Sequence, residues 1–254
     1  EVTNADFAKF VAATGYVTEA ERPLDPKLYP GLTPNQMRPS SLVFVGAEPG
    51  VDRGDPSAWW RVIPGADWRH PTGPDSSLDG LEDHPVVHVA YADAEAYASW
   101  AGKSLPTEAE FEYAARGGLE GREFAWGDEP YPEGRQLANS WQGRFPWENT
   151  AEDGFVGTAP VGSFPANGYG LFDMTGNVWE WTAEWWRDDH EPTVGCCGPS
   201  TSLGPGETIP RRVIKGGSHL CAPNYCLRFR PAARQPEPID TATCHLGFRC
   251  VADA

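Results

Sequence analysis

The chain has 254 residues and a formal net charge of −16 at pH 7, from 36 Asp and Glu against 20 Lys and Arg. This balance excludes a general affinity for nucleic acid or anionic lipid and favours basic partners or bound cations. Hydrophobic residues make up 40%, which predicts a globular protein, and no apolar run approaches the roughly 18 residues of a membrane span. Because the sequence begins at Glu1, we expect that its native start has been trimmed.

Helices are predicted in the first half of the chain. The first runs from Asn4 to Thr14, with Asn4 as its N-cap and one apolar face made by Phe7, Phe10 and Val11. A second is predicted from Tyr91 to Gly102, where Ala94, Tyr97, Ala98 and Ala101 fall on one face. A third begins at Thr107, whose Thr-x-x-Glu sequence has the form of a capping box, and it ends at residues 117–118.

The rest of the sequence favours loops and short strands. It contributes to totals of 28 Gly, 25 Pro and 11 Trp, which are typical of turns and of loops anchored by aromatic side chains. Residues 22–85 are predicted to form ordered loops with short strands. Later strands are predicted at Arg211–Lys215 and Cys226–Arg230. Three early helices and a loop-rich β remainder predict one α+β domain over residues 1–254.

Two segments, residues 139–155 and 173–181, combine carboxylate or amide side chains with turn residues. Oxygen ligands of this kind suit Ca²⁺, although neither segment has EF-hand spacing, and Asx-turns explain the same residues without a metal. His84 and His88 have the spacing of zinc ligands, but Pro85 argues against a helix there, so structural histidines are the favoured interpretation. His190-Glu191-Pro192 lacks the second histidine of a zincin motif.

All six cysteines lie in the last quarter of the chain, and Cys221 and Cys226 frame a Pro-Asn turn. On a strand, a spacing of five places side chains on opposite faces, and on a helix it places them about 140° apart. Pro223 and Asn224 supply the reversal that lets the sulfurs converge. If Cys226–Arg230 is a strand, Arg228 and Arg230 share its face with the thiol and favour the thiolate.

Chemistry alone leaves three interpretations of the pair open: a disulfide, a functional thiolate pair, or inert thiols. Two thiolates with no nearby histidine suit a soft ion, Cu(I) before Zn²⁺, because zinc prefers four ligands. Adjacent Cys196 and Cys197 cannot easily bond each other and have no obvious metal spacing. No role is assigned to them or to Cys244.

The segment 216–230, Gly-Gly-Ser-His-Leu-Cys-Ala-Pro-Asn-Tyr-Cys-Leu-Arg-Phe-Arg, resembles the active-site segment of formylglycine-generating enzymes, also called sulfatase-modifying factors. The resemblance extends over most of the chain. It includes Trp-Arg-His-Pro at 68–71, His-Pro-Val-Val-His-Val at 84–89, Leu-Pro-Thr-Glu-Ala-Glu at 105–110, Asn-Gly-Tyr-Gly-Leu at 167–171, Gly-Asn-Val-Trp-Glu-Trp at 176–181, and Gly-Phe-Arg-Cys at 247–250. Within the wider superfamily, only the Cys-x4-Cys pair with its Gly-Gly-Ser lead marks the oxidising enzymes.

The resemblance implies a single formylglycine-generating domain, a C-type-lectin-like variant poor in regular secondary structure. It implies an oxidase that uses O₂ to convert the cysteine of a Cys-x-Pro-x-Arg motif in an unfolded sulfatase to Cα-formylglycine. Cu(I) is the implied cofactor, held by Cys221 and Cys226, and Ser218, Tyr225 and Trp179 match residues of the family's oxygen pocket.

Two structural Ca²⁺ sites are also implied by the resemblance. The first would use Asn139, Ser140, Asp153 and Phe155, and the second Asp173, Gly176, Val178 and Glu180. Vertebrate relatives carry further disulfides, whose partner positions here are Ala115 and Pro231, so Cys250 is left without a partner. We therefore expect a bacterial enzyme that works in a reducing cytoplasm. We also expect a monomer whose partner is the sulfatase polypeptide, with neither nucleic acid nor membrane involved. The alternative is a non-catalytic lectin-like binding module with a structural Cys221–Cys226 disulfide.

Overall fold

The computed structural model describes residues 1–188, 203, 206 and 208–252. Regular secondary structure occupies a minor part of these residues, and it mixes helix with sheet in the predicted α+β manner. The helices are α1 Asn4–Thr14, α2 Tyr91–Trp100 and α3 Glu108–Arg116; the strands are β1 Ser40–Phe44, β2 Trp60–Pro64, β3 Trp179–Trp185, β4 Arg211–Lys215, β5 Arg234–Pro238 and β6 Leu246–Gly247.

Helix α1 has the predicted bounds, but its N-cap is Thr3 and not Asn4. The Thr3 side chain accepts a hydrogen bond from the Asp6 amide, as a capping hydroxyl does. The Asn4 side chain instead donates to the carbonyl of Leu81 at 2.8 Å, because it is buried inside the first turn. It therefore ties the helix to a distant loop.

The two later helices begin where they were predicted. Helix α3 has the full capping box between Thr107 and Glu110 and ends at Gly117 in the left-handed conformation. Helix α2 is two residues shorter than predicted. It ends at Trp100, and Gly102, which has a φ of 66°, lies beyond the cap residue. The glycine therefore turns the chain one step after the helix has ended.

The larger sheet has the strand order β5-β4-β3-β6, and β1 and β2 form a separate antiparallel pair. Strand β4 has the predicted bounds. The strand predicted at Cys226–Arg230 is wrong, because that segment is irregular, and the chain becomes a strand only at Arg234. Strand β5 contains Pro236 and Pro238, which the sheet accommodates because β5 lies at its edge.

The main core lies between the helices and the larger sheet. Trp179 and Trp181 of β3 are almost fully buried there, and the same cluster includes Phe7 of α1 and the thiol-bearing Cys221. A second cluster joins Trp59, Trp141 and Phe145 to the residues on either side of Cys221, namely Leu220 and Ala222. The cysteine turn is therefore packed between two aromatic cores. Within the part of the chain described, no helix is long and apolar enough to cross a membrane.

Candidate active site

The segment from Cys221 to Cys226 folds back on itself as predicted. The amides of Tyr225 and Cys226 both donate to the carbonyl of Ala222, at 3.0 and 2.8 Å. The reversal brings the two thiols close enough to shift each other's pKa, and both cysteines are free. The geometry therefore has the convergence that a thiolate pair requires, and it does not contain the disulfide of the alternative interpretation.

The contact between the thiols separates their acidities. The hydrogen bond from Cys221 lowers the pKa of Cys226 to about 7, against the opposing effect of burial. The same hydrogen bond, together with burial, raises the pKa of Cys221 well above the ordinary thiol value. A thiol donor stabilises a neighbouring thiolate. Cys226 is therefore the residue poised to be anionic near neutral pH, and Cys221 keeps its proton.

The arginines after the pair behave differently from each other. The charge of Arg228 lowers the pKa of Cys226, but by less than the interactions with Cys221 and Ala222 do. The Arg228 side chain itself donates a hydrogen bond to Gln235. Arg230 pairs with Glu123 at 3.2 Å. The expected common face with Cys226 does not form, because Cys226–Arg230 is not a strand.

The Gly-Gly-Ser lead holds the first cysteine. The Ser218 amide donates to Cys221 Sγ at 3.4 Å, and the Ser218 carbonyl accepts from the Cys221 amide at 2.9 Å. Gly217 has a φ of 74°, and a Cβ there would lie 2.6 Å from the Arg228 carbonyl oxygen. The segments before and after the turn therefore cross at backbone distance, which requires glycine. Ser218 is fully buried beside the thiol.

The other two predicted pocket residues lie in different environments. Tyr225 is 42% exposed and stacks on Phe145, with ring centres 4.6 Å apart and planes inclined by 16°. It also contacts Trp59 edge to face. Trp179 is buried in β3, where its amide donates to the His245 carbonyl. Tyr225 thus forms an accessible wall next to Cys226, and Trp179 forms part of the core behind Cys221.

The first predicted calcium loop brings two of its four predicted ligands to one point. The Ser140 carbonyl and Asp153 Oδ2 both accept hydrogen bonds from the side-chain amide of Gln142. Asp153 Oδ1 accepts from the Phe155 amide at 2.9 Å, and Asn139 Nδ2 donates to the Gly157 carbonyl. Two oxygens that converge on one N–H donor form part of a ligand set that a hard cation also fits.

The second predicted calcium set already contains a positive charge. Arg249 binds both carboxylate oxygens of Glu180, at 2.6 and 2.7 Å, and donates to the Asp173 carbonyl at 2.9 Å. Glu180 is fully buried, and Gly176 and Val178 lie between these acids in the chain. Burial raises the pKa of Glu1 to about 8, and the nearby Glu180 and Asp173 charges add to this shift. The guanidinium already pairs with the Glu180 carboxylate, so the set fits a cation less well than the first.

The histidine interpretation agrees with the structure. His84 Nδ1 lies 2.9 Å from the Thr158 hydroxyl. His88 is fully buried, with its two ring nitrogens 2.7 Å from the Ser41 hydroxyl and 2.8 Å from the Pro71 carbonyl. Burial lowers the pKa of His88 to about 4, so it is neutral. Both side chains have the partners of structural histidines.

The remaining cysteines lie away from the turn or outside the described residues. Cys244 accepts a hydrogen bond from the Phe44 amide, and burial raises its pKa to about 11. Cys250 is a free thiol, as expected from its missing partner positions. Cys196, Cys197 and the His190 segment lie outside the described residues.

Cu(I) fits the cysteine pair. Among the described residues, no group of three or more His, Cys, Asp or Glu side chains is placed to hold a metal, so the thiols offer a two-sulfur site. A soft monovalent ion accepts such a ligand set, whereas structural zinc requires four ligands.

Sequence reasoning missed the residues that surround the turn from distant segments. The Trp141 amide donates to the Cys221 carbonyl at 3.1 Å, and the Asn224 side chain donates to the Gly143 carbonyl at 2.7 Å. Arg53 reaches the turn from the loop between β1 and β2. The only sequence pattern that points to this contact is the run of aromatic residues in 139–147. It does not indicate which of these residues would lie next to the cysteines.

Fold and site together define a loop-rich α+β domain with a converging thiol pair, the class that includes the sulfatase-modifying factors. Residues 1–254 match the family described as sulfatase-modifying factor enzyme 1-like domain, and the chain belongs to that family. It is 56% identical over 255 residues to the formylglycine-generating enzyme of Mycobacterium tuberculosis, covering 99% of this chain and 85% of that one. It is 50% identical to the formylglycine-generating enzyme of Mus musculus, covering all of this chain and 64% of that one. Among solved structures, PvdO from Pseudomonas aeruginosa matches with a TM-score of 0.50 and 24% identity, over 83% of this chain and 90% of that one, which shows the shared fold.

Proposed function

We propose that this protein is a formylglycine-generating oxidase. Its substrate is the cysteine of a Cys-x-Pro-x-Arg motif in an unfolded sulfatase, which it converts to Cα-formylglycine with O₂. The family, and the names of the relatives that match nearly all of this chain, support this class of activity. The observation that carries the proposal is the pair of free, converging thiols at Cys221 and Cys226, one of which has its pKa lowered to about 7.

The two cysteines would hold Cu(I), which supplies the electron for O₂ activation when it is bound. Cys226 would bind it as the thiolate already favoured near neutral pH, and Cys221 would have to lose its proton to be the second ligand. The buried Ser218 fixes the Cys221 sulfur from the main chain. The exposed face of Tyr225 leaves room for an incoming peptide beside Cys226.

The overall change is a two-electron oxidation at the substrate Cβ followed by hydrolysis. The substrate thiol loses its S–H and one Cβ hydrogen to give a thioaldehyde, and water replaces sulfur to give the aldehyde and H₂S. With two reducing equivalents from a thiol reductant, O₂ is reduced to two molecules of water. The hydrolysis consumes one molecule of water, so atoms and electrons balance.

We also propose that a Ca²⁺ ion occupies the first oxygen cluster, at Asn139, Ser140, Asp153 and Phe155, and stabilises a loop that contacts the cysteine turn. The second set would hold a cation less well, because Arg249 already pairs with its Glu180 carboxylate. Free thiols at all four described cysteine positions suit a reducing compartment, so we propose cytoplasmic action as a monomer.

A peptide assay tests the oxidase. The protein, purified under reducing conditions and loaded with one equivalent of Cu(I), is incubated in air with a Cys-x-Pro-x-Arg peptide and a thiol reductant. We expect the peptide mass to change to that of the aldehyde. A thiol count under native and reducing conditions tests the rival binding module, because a structural disulfide would remove two thiols from the native count.

A further inference from the structure

One half-buried arginine, remote in sequence, contacts the cysteine turn from outside. Arg53 lies in the loop between β1 and β2, 171 residues before Asn224 in the chain. Its Nη2 donates to the Asn224 main-chain oxygen at 2.7 Å and lies 3.2 Å from Asn224 Oδ1. The central residue of the turn is therefore held through two of its oxygens by one guanidinium.

The same guanidinium lies against two aromatic rings. The Arg53 Cζ atom is 5.8 Å from the centre of the Tyr225 ring and 5.7 Å from that of Trp147. Both distances are within the range of cation–π attraction. Arg53 therefore joins the turn, through Asn224 and Tyr225, to the aromatic loop that carries Trp147.

The two ends of the turn are fixed by different means. Cys221 is buried, and main-chain bonds hold it to Ser218 and Trp141. Cys226 is only half-buried, and its amide bonds to Ala222 inside the same turn. The position of Cys226 relative to Cys221 thus depends on what holds the residues between them.

We propose that Arg53 is a positioning residue, which holds Asn224 and Tyr225 so that the Cys226 sulfur stays at metal-sharing distance from Cys221. This inference rests on the proposed function of the pair as a Cu(I) site. Asn224 makes the second tie, through its side-chain bond to the Gly143 carbonyl. A loosened turn must lose conformational entropy before both sulfurs can bind one ion, which weakens the site.

The test measures Cu(I) affinity of the whole chain by competition with a colorimetric Cu(I) chelator. The variants are Arg53→Gln, Arg53→Lys and Asn224→Ala. Arg135→Gln is the control, because it removes the same charge from an exposed pair with Glu133. The ultraviolet thiolate-to-copper band and the melting temperature of each protein are recorded alongside.

We expect Arg53→Gln to weaken Cu(I) binding roughly tenfold, since it removes charge-assisted hydrogen bonds. Arg53→Lys keeps the charge but not the planar guanidinium that lies against Tyr225 and Trp147, so it should restore only part of the affinity. Asn224→Ala should weaken binding in the same direction, and Arg135→Gln should leave it unchanged. With peptide substrate, Arg53→Gln should lower kcat more than it raises KM, because the altered group is the metal site.

Unchanged Cu(I) affinity in both Arg53→Gln and Asn224→Ala would overturn the proposal, as would an equal loss in Arg135→Gln. The outcome is separable from that of the oxidase assay. A wild-type protein that forms no aldehyde, but binds Cu(I) tenfold more tightly than Arg53→Gln, would refute the oxidase and support the positioning role. If wild type and Arg53→Gln bind Cu(I) with equal affinity and form equal amounts of aldehyde, the oxidase is supported and the positioning role is refuted.

Discussion

The Cys221 and Cys226 thiols interact across the turn, and this interaction raises the pKa of Cys221 and lowers that of Cys226. Because the pKa of Cys226 is lowered to about 7, its reactive form persists down to neutral pH and is lost below it. We expect the rate of Cys226 alkylation by iodoacetamide to rise with a midpoint near pH 7, measured site by site by mass spectrometry.

Replacing the donor tests the cause of that shift. In Cys221→Ala the hydrogen bond is absent, so the midpoint for Cys226 should move up toward the ordinary thiol value near 9. Cys244→Ala is the matched control, since that thiol bonds to the Phe44 amide. A Cys221→Ala midpoint that stays near 7 would contradict the assignment of the hydrogen bond as the main cause.

Gly217 should be more sensitive to substitution than a glycine in open space. Gly217→Ala places a Cβ 2.6 Å from the Arg228 carbonyl oxygen at a φ of 74°, whereas Gly170 has a φ of 75° and nothing within 4 Å of a Cβ. The Gly170→Ala variant should lose about 1 kcal/mol for the backbone conformation alone, and Gly217→Ala at least about 2 kcal/mol. Urea denaturation measures both, and equal losses would show that the crossing at Gly217 relaxes freely.

The buried Arg249–Glu180 pair should be worth far more than a surface pair of the same length. Arg249→Met leaves the Glu180 carboxylate buried without its cation, which costs about 3–5 kcal/mol in the free energy of unfolding. Arg144→Met breaks a 2.6 Å pair with Glu148 at an exposed position and should cost less than about 1 kcal/mol. Similar losses in the two variants, measured by denaturant titration, would contradict the burial argument.

Calcium should stabilise the protein through the first oxygen cluster. Adding millimolar Ca²⁺ to chelator-treated protein should raise the melting temperature, because an ion that binds only the folded state shifts the folding equilibrium. Asp153→Asn should remove most of this rise. Asp75→Asn, at an exposed position outside the cluster, should keep it. A rise of equal size in Asp153→Asn would place the ion elsewhere.

Local signals in the sequence were enough to predict the helices and the turn between the cysteines. The capping box at Thr107 and the Pro-Asn reversal depend on neighbours within four residues, and both formed as expected. The predicted N-cap of α1 is wrong because Thr3 and Asn4 are both residue types that favour the N-cap position. Only the distant carbonyl of Leu81 decides between them.

Features that depend on tertiary contacts were not predictable from single segments. Polar and apolar side chains alternate in Cys226–Arg230 as they do in a strand. The segment nevertheless crosses the backbone at Gly217 in close contact and forms no strand. Strand β5 can contain prolines because it lies at the edge of the sheet, where a residue without a backbone N–H breaks no ladder hydrogen bond. Arg53 is separated from the turn by 171 residues, so no spacing rule could relate the two.

We propose that the Cys221–Cys226 pair is the copper-dependent centre of a peptidyl-cysteine oxidase. The most direct test records the mass of a Cys-x-Pro-x-Arg peptide after incubation in air with the Cu(I)-loaded protein and a thiol reductant, alongside Cys226→Ala. We predict an aldehyde product that requires copper and is absent with Cys226→Ala. Tight copper binding without any aldehyde, or equal turnover by Cys226→Ala, would contradict that claim.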